Sequence, residues 1–164
     1  MDDNNNFQDL IKIGHHLLSN DQFQNGLSLI SKHLTEVTYA ERCSIFIYQE
    51  SSDELWTILS TGIEKIHITS DKGIVGYVFR TEESVIENNV SNNIYFLSDI
   101  DKKSGYKTLN IIACPIYNSK KKLMGVLELL NRPNGFDEQD LDFLNIFANY
   151  IGSIIELSLY YLKD

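Results

Sequence analysis

The sequence predicts an α+β domain: a central antiparallel sheet of about six strands, with terminal helices on one face and a loop-covered pocket on the other. Three observations lead there. Apolar residues recur every three or four positions at both ends of the chain, the period of a helix face. Between these ends lie short runs rich in β-forming residues, joined by turn sequences that suit antiparallel hairpins. One long polar connection, residues 88–108, carries Ile94, Tyr95, Phe96, Leu97 and Tyr106. Connections of that length in a compact domain are usually functional or disordered, and these apolar residues predict that it folds over something and forms some helix.

Taken in order, residues 7–19 read as a helix, with Phe7, Leu10, Ile11, Ile13, Leu17 and Leu18 on a broad apolar face. Asp21 is a candidate cap for a second helix, whose stripe is Phe23, Leu27, Ile30, Leu34 and Val37. The period then changes. Residues 42–49 and 55–59 predict a hairpin around Ser51-Ser52-Asp53, and residues 63–69 a third short strand. Gly73-Ile74-Val75-Gly76 opens a short helix running to Arg80, and residues 84–87 read as a short strand. Residues 110–118 and 123–131 form a second hairpin about Asn118-Ser119-Lys120-Lys121. Pro133 and Gly135 break the chain before a long helix over 137–162, whose acidic start, Asp137 and Glu138, suits a helix N-terminus. The expected division is an N-terminal helix over 1–21 and one domain over 22–164.

The 164 residues suffice for one core without disulfide or metal staples. Fourteen Lys and Arg against 23 Asp and Glu leave a net charge of −9, which argues against a nucleic-acid partner. The one dense basic run, Lys120-Lys121-Lys122, belongs to a solvated turn. Cys43 and Cys114 lie inside apolar runs and read as buried free thiols. No CxxC or His/Cys cluster predicts a metal site. His15 and His16 cannot share a helix face, His33 and His67 lack ligand-spaced neighbours, and no Ser-His-Asp or paired-carboxylate arrangement assembles. An enzyme is therefore not expected. The polar start and the lack of an apolar stretch long enough to span a bilayer predict a cytoplasmic protein without a membrane span.

Several motifs occur in order: Ala40-Glu41-Arg42-Cys43-Ser44, Lys72-Gly73-Ile74-Val75-Gly76, Ser104-Gly105-Tyr106-Lys107-Thr108, Ile112-Ala-Cys114-Pro115-Ile116 and Gly125-Val126-Leu-Glu128-Leu-Leu-Asn131-Arg132, followed by Phe136 and Asp140. Over residues 22–160 the chain resembles the GAF domains of cyclic-nucleotide phosphodiesterases and adenylyl cyclases, whose fold is profilin-like. Asn131, Phe136 and Asp140 match the family's bracing signature. Arg132 replaces its lysine, keeping a charge that can pair with Asp140, and Leu141 stands in place of its glutamate.

The resemblance implies a pocket for a small-molecule ligand, cyclic AMP or cyclic GMP being the best-matched class. Ser44 matches a strand serine at that pocket, and the amides about Ile74 and Val75 match the helix start that receives the cyclic phosphate, where unpaired N–H groups favour an anion. Asp101, Ser104 and Thr108 match polar positions that close over the ligand. For Ser104 and Thr108, turn capping is an equal alternative. Glu128 matches a strand carboxylate. Alternation places it on the face of Val126 and Leu130, where a carboxylate needs a partner or a shifted pKa. Leu59 falls where an aromatic stacks on the purine, with Ser60 beside it at the pocket, and Leu97 falls where another aromatic packs. Losing such rings costs about 1–3 kcal/mol. The expected function is a sensor that signals through terminal helices to an output domain, with homodimerisation through those helices. A ligand-free dimerisation module is the alternative. The chain ends inside a helical pattern, which predicts that the natural protein continues.

Overall fold

The computed structural model describes residues 20–62 and 65–161. The helix expected over 7–19 lies outside them. Helix α1 (Asn20–Thr38) is followed by strands β1 (Arg42–Gln49), β2 (Glu54–Ser60) and β3 (His67–Thr69), helix α2 (Gly73–Thr81) and strand β4 (Val85–Glu87). A 3-10 turn (Val90–Asn92) and helix α3 (Ser98–Ser104) lead to β5 (Ile111–Tyr117), β6 (Leu123–Leu130) and helix α4 (Glu138–Tyr161). The strands form one six-stranded sheet in the order β3-β2-β1-β6-β5-β4. Every neighbouring pair is antiparallel.

The central strands are apolar on both faces because both faces are covered. Cys43, Ile45 and Ile47 of β1, Ile112, Cys114 and Ile116 of β5, and Leu127 and Leu129 of β6 face a core closed by Leu27 and Leu34 of α1 and Leu144, Ala148, Ile151 and Ile155 of α4. The alternate residues, Phe46, Ile111, Ala113, Val126 and Leu130, meet Ile74, Val75 and Val78 of α2 and Val90 on the opposite face. Val37, expected on the buried stripe of α1, is 47% exposed, because Leu34 and Thr38 take the buried face of the last turn. Cys43 and Cys114 are both free and buried.

Turn chemistry follows the sequence. Asn118 Oδ1 accepts from the amides of Lys120 and Lys122, which closes the β5–β6 hairpin. Asp53 enters the left-handed region at φ 53° in the β1–β2 turn, and its Oδ1 accepts from Ser70 Oγ at 2.6 Å. Residues 88–108 do run over the sheet face opposite α1 and α4, with Phe96 and Tyr106 packed into the second core.

Candidate functional site

The floor of the site is set by strand alternation. Arg42, Ser44 and Phe46 of β1 point to one side, with Ser44 paired across to Glu128 and Arg42 to Leu130 of β6. Ile74 and Val75 of α2, and Phe96, Leu97, Ile100, Asp101, Ser104, Tyr106 and Thr108 from the overlying segment, complete the lining. Of the residues expected at the pocket, Ser44, Ile74, Val75, Leu97, Asp101, Ser104, Thr108 and Glu128 are brought together around one cavity.

Leu59 is not among them. A register shift between Ile45 and Phe46 pairs Leu59 with Ile45, so its side chain joins the helix-side core. Ser60 pairs with Ser44 in register but lies outside the cavity lining. The aromatic rings at the pocket come instead from Phe96 and Tyr106, which the chain supplies from the lid rather than from β2.

Helix α2 opens with Gly73 at φ +74°, a left-handed conformation that L side chains rarely adopt. The cap position Lys72 offers no side-chain hydrogen bond, so the first-turn amides of α2 depend on other acceptors. Leu97 covers that point: a Cβ added to Gly73 would lie 3.1 Å from Leu97 Cδ1.

The lid is held by its own polar groups. Thr108 donates to Asp101 from both its amide (2.7 Å) and its hydroxyl (2.8 Å). The Ser104 hydroxyl donates to the Asp101 carbonyl and accepts from the Tyr106 amide. These three side chains therefore brace the lid in this conformation. Asn131, at φ 57°, pins the end of the lid: its Oδ1 accepts from the Leu109 amide at 2.7 Å and its Nδ2 donates to the Lys107 carbonyl at 2.8 Å. Tyr106 Oη donates to Glu41 at 2.8 Å. Arg132 Nε donates to the Thr38 carbonyl at 3.0 Å and lies 3.3 Å from Asp140 Oδ2, the pair expected from the sequence. Phe136 is buried in the helix-side core. The signature residues thus join the lid, the end of β6, the end of α1 and the start of α4.

Glu128 is 7% exposed, and among the described residues its carboxyl has no hydrogen-bond or salt-bridge partner. Burial, and secondarily the negative charge of Asp101, push its pKa up to about 8. At neutral pH it is therefore mostly a neutral acid, able both to donate and to accept. Arg42, which the sequence motif does not place at the pocket, also lines the cavity. Its two-residue spacing from Ser44 on one strand is the signal that finds it.

The cavity is about 60 Å³. One water occupies about 30 Å³ in the liquid, and pockets for small ligands run to roughly 300–1,000 Å³. An open cleft of about 760 Å³ adjoins it, sharing Ile66, Ile68, Ile100 and Ser104 and flanked by Lys65, His67 and Lys103. Among the described residues no group of His, Cys, Asp and Glu is arranged to hold a metal, and no helix is long and apolar enough to cross a membrane.

A model of the GAF domain family matches residues 23–156. The chain is similar to the probable 3′,5′-cyclic phosphodiesterase pde-5 of Caenorhabditis elegans, 30% identical over 139 residues, 76% of this chain and 18% of that protein. It is also similar to the dual 3′,5′-cyclic-AMP and -GMP phosphodiesterase 11A of Takifugu rubripes, 28% identical over 132 residues, 71% of this chain and 15% of that protein. The chain spans less than a fifth of the length of these curated relatives. Its fold matches the GAF domain of an Acinetobacter phosphoenolpyruvate-protein phosphotransferase with a TM-score of 0.75 at 20% identity, over 96% of this chain and 97% of that one. The sheet closed by helices on one side and by residues 88–108 on the other, and the family match over most of its length, make this chain a member of the GAF domain family.

Proposed function

We propose that this domain is a regulatory sensor that binds a cyclic nucleotide between the sheet and residues 88–108, and passes the change to an output domain. The observation that carries this reading is the pocket itself. An uncapped helix start suited to a phosphate and an unpartnered buried acid, Glu128, line one cavity. The names of the similar phosphodiesterases supply the ligand class. The proposed ligand contacts are Ser44, the amides of Ile74 and Val75, Asp101, Ser104, Thr108 and Glu128.

A cavity of about 60 Å³ is too small for a nucleotide. Binding therefore requires the lid to lift, with Leu97 leaving Gly73 and Asp101 releasing Thr108. The ligand's apparent affinity is reduced by the fraction of molecules in that open form. Lid movement pulls on Asn131 and Arg132, and through Arg132 on Thr38 and Asp140 at the ends of α1 and α4. That linkage is the proposed route to the output domain, since a ligand shifts such an equilibrium only by its differential affinity for the two forms. Catalysis is not part of this reading. Both cysteines are buried with pKa values raised by burial, so neither offers a reactive thiolate.

Thermal unfolding with cyclic AMP and cyclic GMP tests the proposal. A saturating nucleotide at 100 times its dissociation constant adds about 2.7 kcal/mol of stability. No shift with either nucleotide refutes it. A second reading, a ligand-free dimerisation module in the cytoplasm, is favoured by the small cavity and by the exposure of Leu29, Val37, Ile146 and Leu157 on α1 and α4.

A further inference from the structure

Strand β3 ends the sheet, so one of its edges carries no neighbouring strand. Its ladder with β2 fixes which backbone groups are left over. Thr57 N–H donates to the Ile66 carbonyl and Ser70 N–H to the Asp53 carbonyl, both at 3.0 Å, and Leu55 stands opposite Ile68 between them. Antiparallel pairing alternates between bonded and non-bonded pairs. Ile66, Ile68 and Ser70 therefore turn their peptide groups to β2, and His67 and Thr69 turn theirs outward. The Thr69 carbonyl accepts from Lys72 N–H. Among the described residues the outward N–H and C=O of His67 meet no partner.

Side chains along this edge are sorted by face. His67 pairs across with Trp56, whose indole packs on the helix-side core. The two rings stack at 6.4 Å, and Lys65 Nζ lies 4.0 Å from the indole centroid. Ile66 and Ile68 point the other way, against the lid-side core. The cleft of about 760 Å³ runs along the edge, with Ile66, His67 and Ile68 on one wall and Ile100, Lys103 and Ser104 of α3 on the other. In a chain of net charge −9, the described residues lining this cleft include Lys65 and Lys103 and no acid. Neither lysine is held in an ion pair among the described residues.

We propose that the open edge of β3 is a docking site for an extended acidic segment of a partner protein, which adds as a strand in the cleft between β3 and α3. Alternation dictates the segment's pattern. Residues beside Lys65 and His67 share the helix-side face, where opposite charge is favoured across neighbouring strands. Residues beside Ile66 and Ile68 lie toward Ile100 and are apolar. Main-chain bonds to His67 supply attachment, and the alternating side chains supply selectivity. A short edge strand flanked by lysine resists pairing with apolar or basic strands, and the same charge admits an acidic one. The occupant touches β3 and α3 together, so it fastens the lid to the sheet from outside the enclosed cavity.

The test is titration of the full chain with an end-blocked heptapeptide of alternating glutamate and valine. Calorimetry measures affinity, and emission from Trp56, the single tryptophan, reports location because it contacts both Lys65 and His67. Saturable binding with a dissociation constant below about 1 mM is expected, weakening severalfold as salt rises from about 0.05 to about 0.5 M. Reversing both lysines, Lys65→Glu with Lys103→Glu, should weaken binding at least about tenfold. His67→Pro removes the outward N–H and leaves the β2 ladder intact, as proline on an edge strand can, and should weaken binding to a similar degree. Thermal midpoints report whether the variants fold. If they do not, two control peptides on the wild type decide: one N-methylated at alternate residues, and one with lysine in place of glutamate, both expected to bind at least about tenfold more weakly. No binding at about 1 mM, or equal binding of either control peptide, overturns the proposal. So does affinity that survives the lysine reversals or His67→Pro. Self-association of the chain that His67→Pro abolishes makes a second copy the occupant and overturns the acidic partner.

Discussion

At Glu128 a single side chain links the pocket to pH. Its pKa rises from 4.5 to about 8 through burial, with Asp101 on α3 adding repulsion. Cys43 lies near enough to feel its charge, and Arg42 is its diagonal neighbour. The sign follows from proton counting. Below pH about 4.5 folded and unfolded chains both hold the proton, and between about 4.5 and 8 only the folded chain does. Stability contributed by the neutral acid is therefore complete at low pH and is lost as pH climbs toward 8, at no more than about 1.4 kcal/mol per pH unit. The thermal midpoint of the wild type should fall between pH 5 and 8 from this group, and Glu128→Gln should flatten that part of the profile. An unchanged slope in the variant means that Glu128 titrates normally and is not enclosed as described.

Among the elements, α4 is seated by one glycine. A Cβ at Gly152 would run into the Tyr117 carbonyl at the end of β5. Alanine in a helix interior is ordinarily favoured over glycine by about 1 kcal/mol. Here the obstacle is backbone on backbone, which cannot swing aside, so overpacking by about 1–3 kcal/mol outweighs the propensity gain. Gly152→Ala should lower the urea midpoint, and a rise instead would show that α4 sits farther from the sheet. The lid has a different construction. It is held by the polar contacts Asp101–Thr108, Asn131–Lys107 and Tyr106–Glu41 together with the packing of Phe96 and Tyr106, and it contains none of the fully buried large side chains that close the helix side.

For the molecule as a whole, the two faces of the sheet have different roles. The helix side is closed by large apolar side chains, while the lid side holds a small cavity, a buried acid and an unpaired guanidinium. Outside the helix layer, Leu29 (68% exposed) and Ile146 (66%) flank the His33–Phe147 contact that joins α1 to α4. If the helices dimerise, sedimentation should report a mass that doubles with concentration, and Ile146→Asp should raise the dissociation constant at least tenfold without moving the thermal midpoint of the monomer. A wild-type chain that stays monomeric at about 100 μM removes the dimerisation reading.

Local patterning sufficed for the order of the described elements, both hairpin turns, the buried cysteines and the inward direction of Glu128, because alternation and capping act over a few residues, whereas the place of Ser44 and the Arg132–Asp140 pair came from the family resemblance. The register shift at Ile45/Phe46 that turns Leu59 away, the guanidinium left without a partner, the use of Asp101 and Thr108 on each other and a cavity of only about 60 Å³ arise from how distant segments close on one another. The Asp101–Thr108 pair spans only 7 positions, but the β1–β2 register and the seating of Arg42 against Tyr106 depend on how separate elements close on one another, whose geometry no local period encodes.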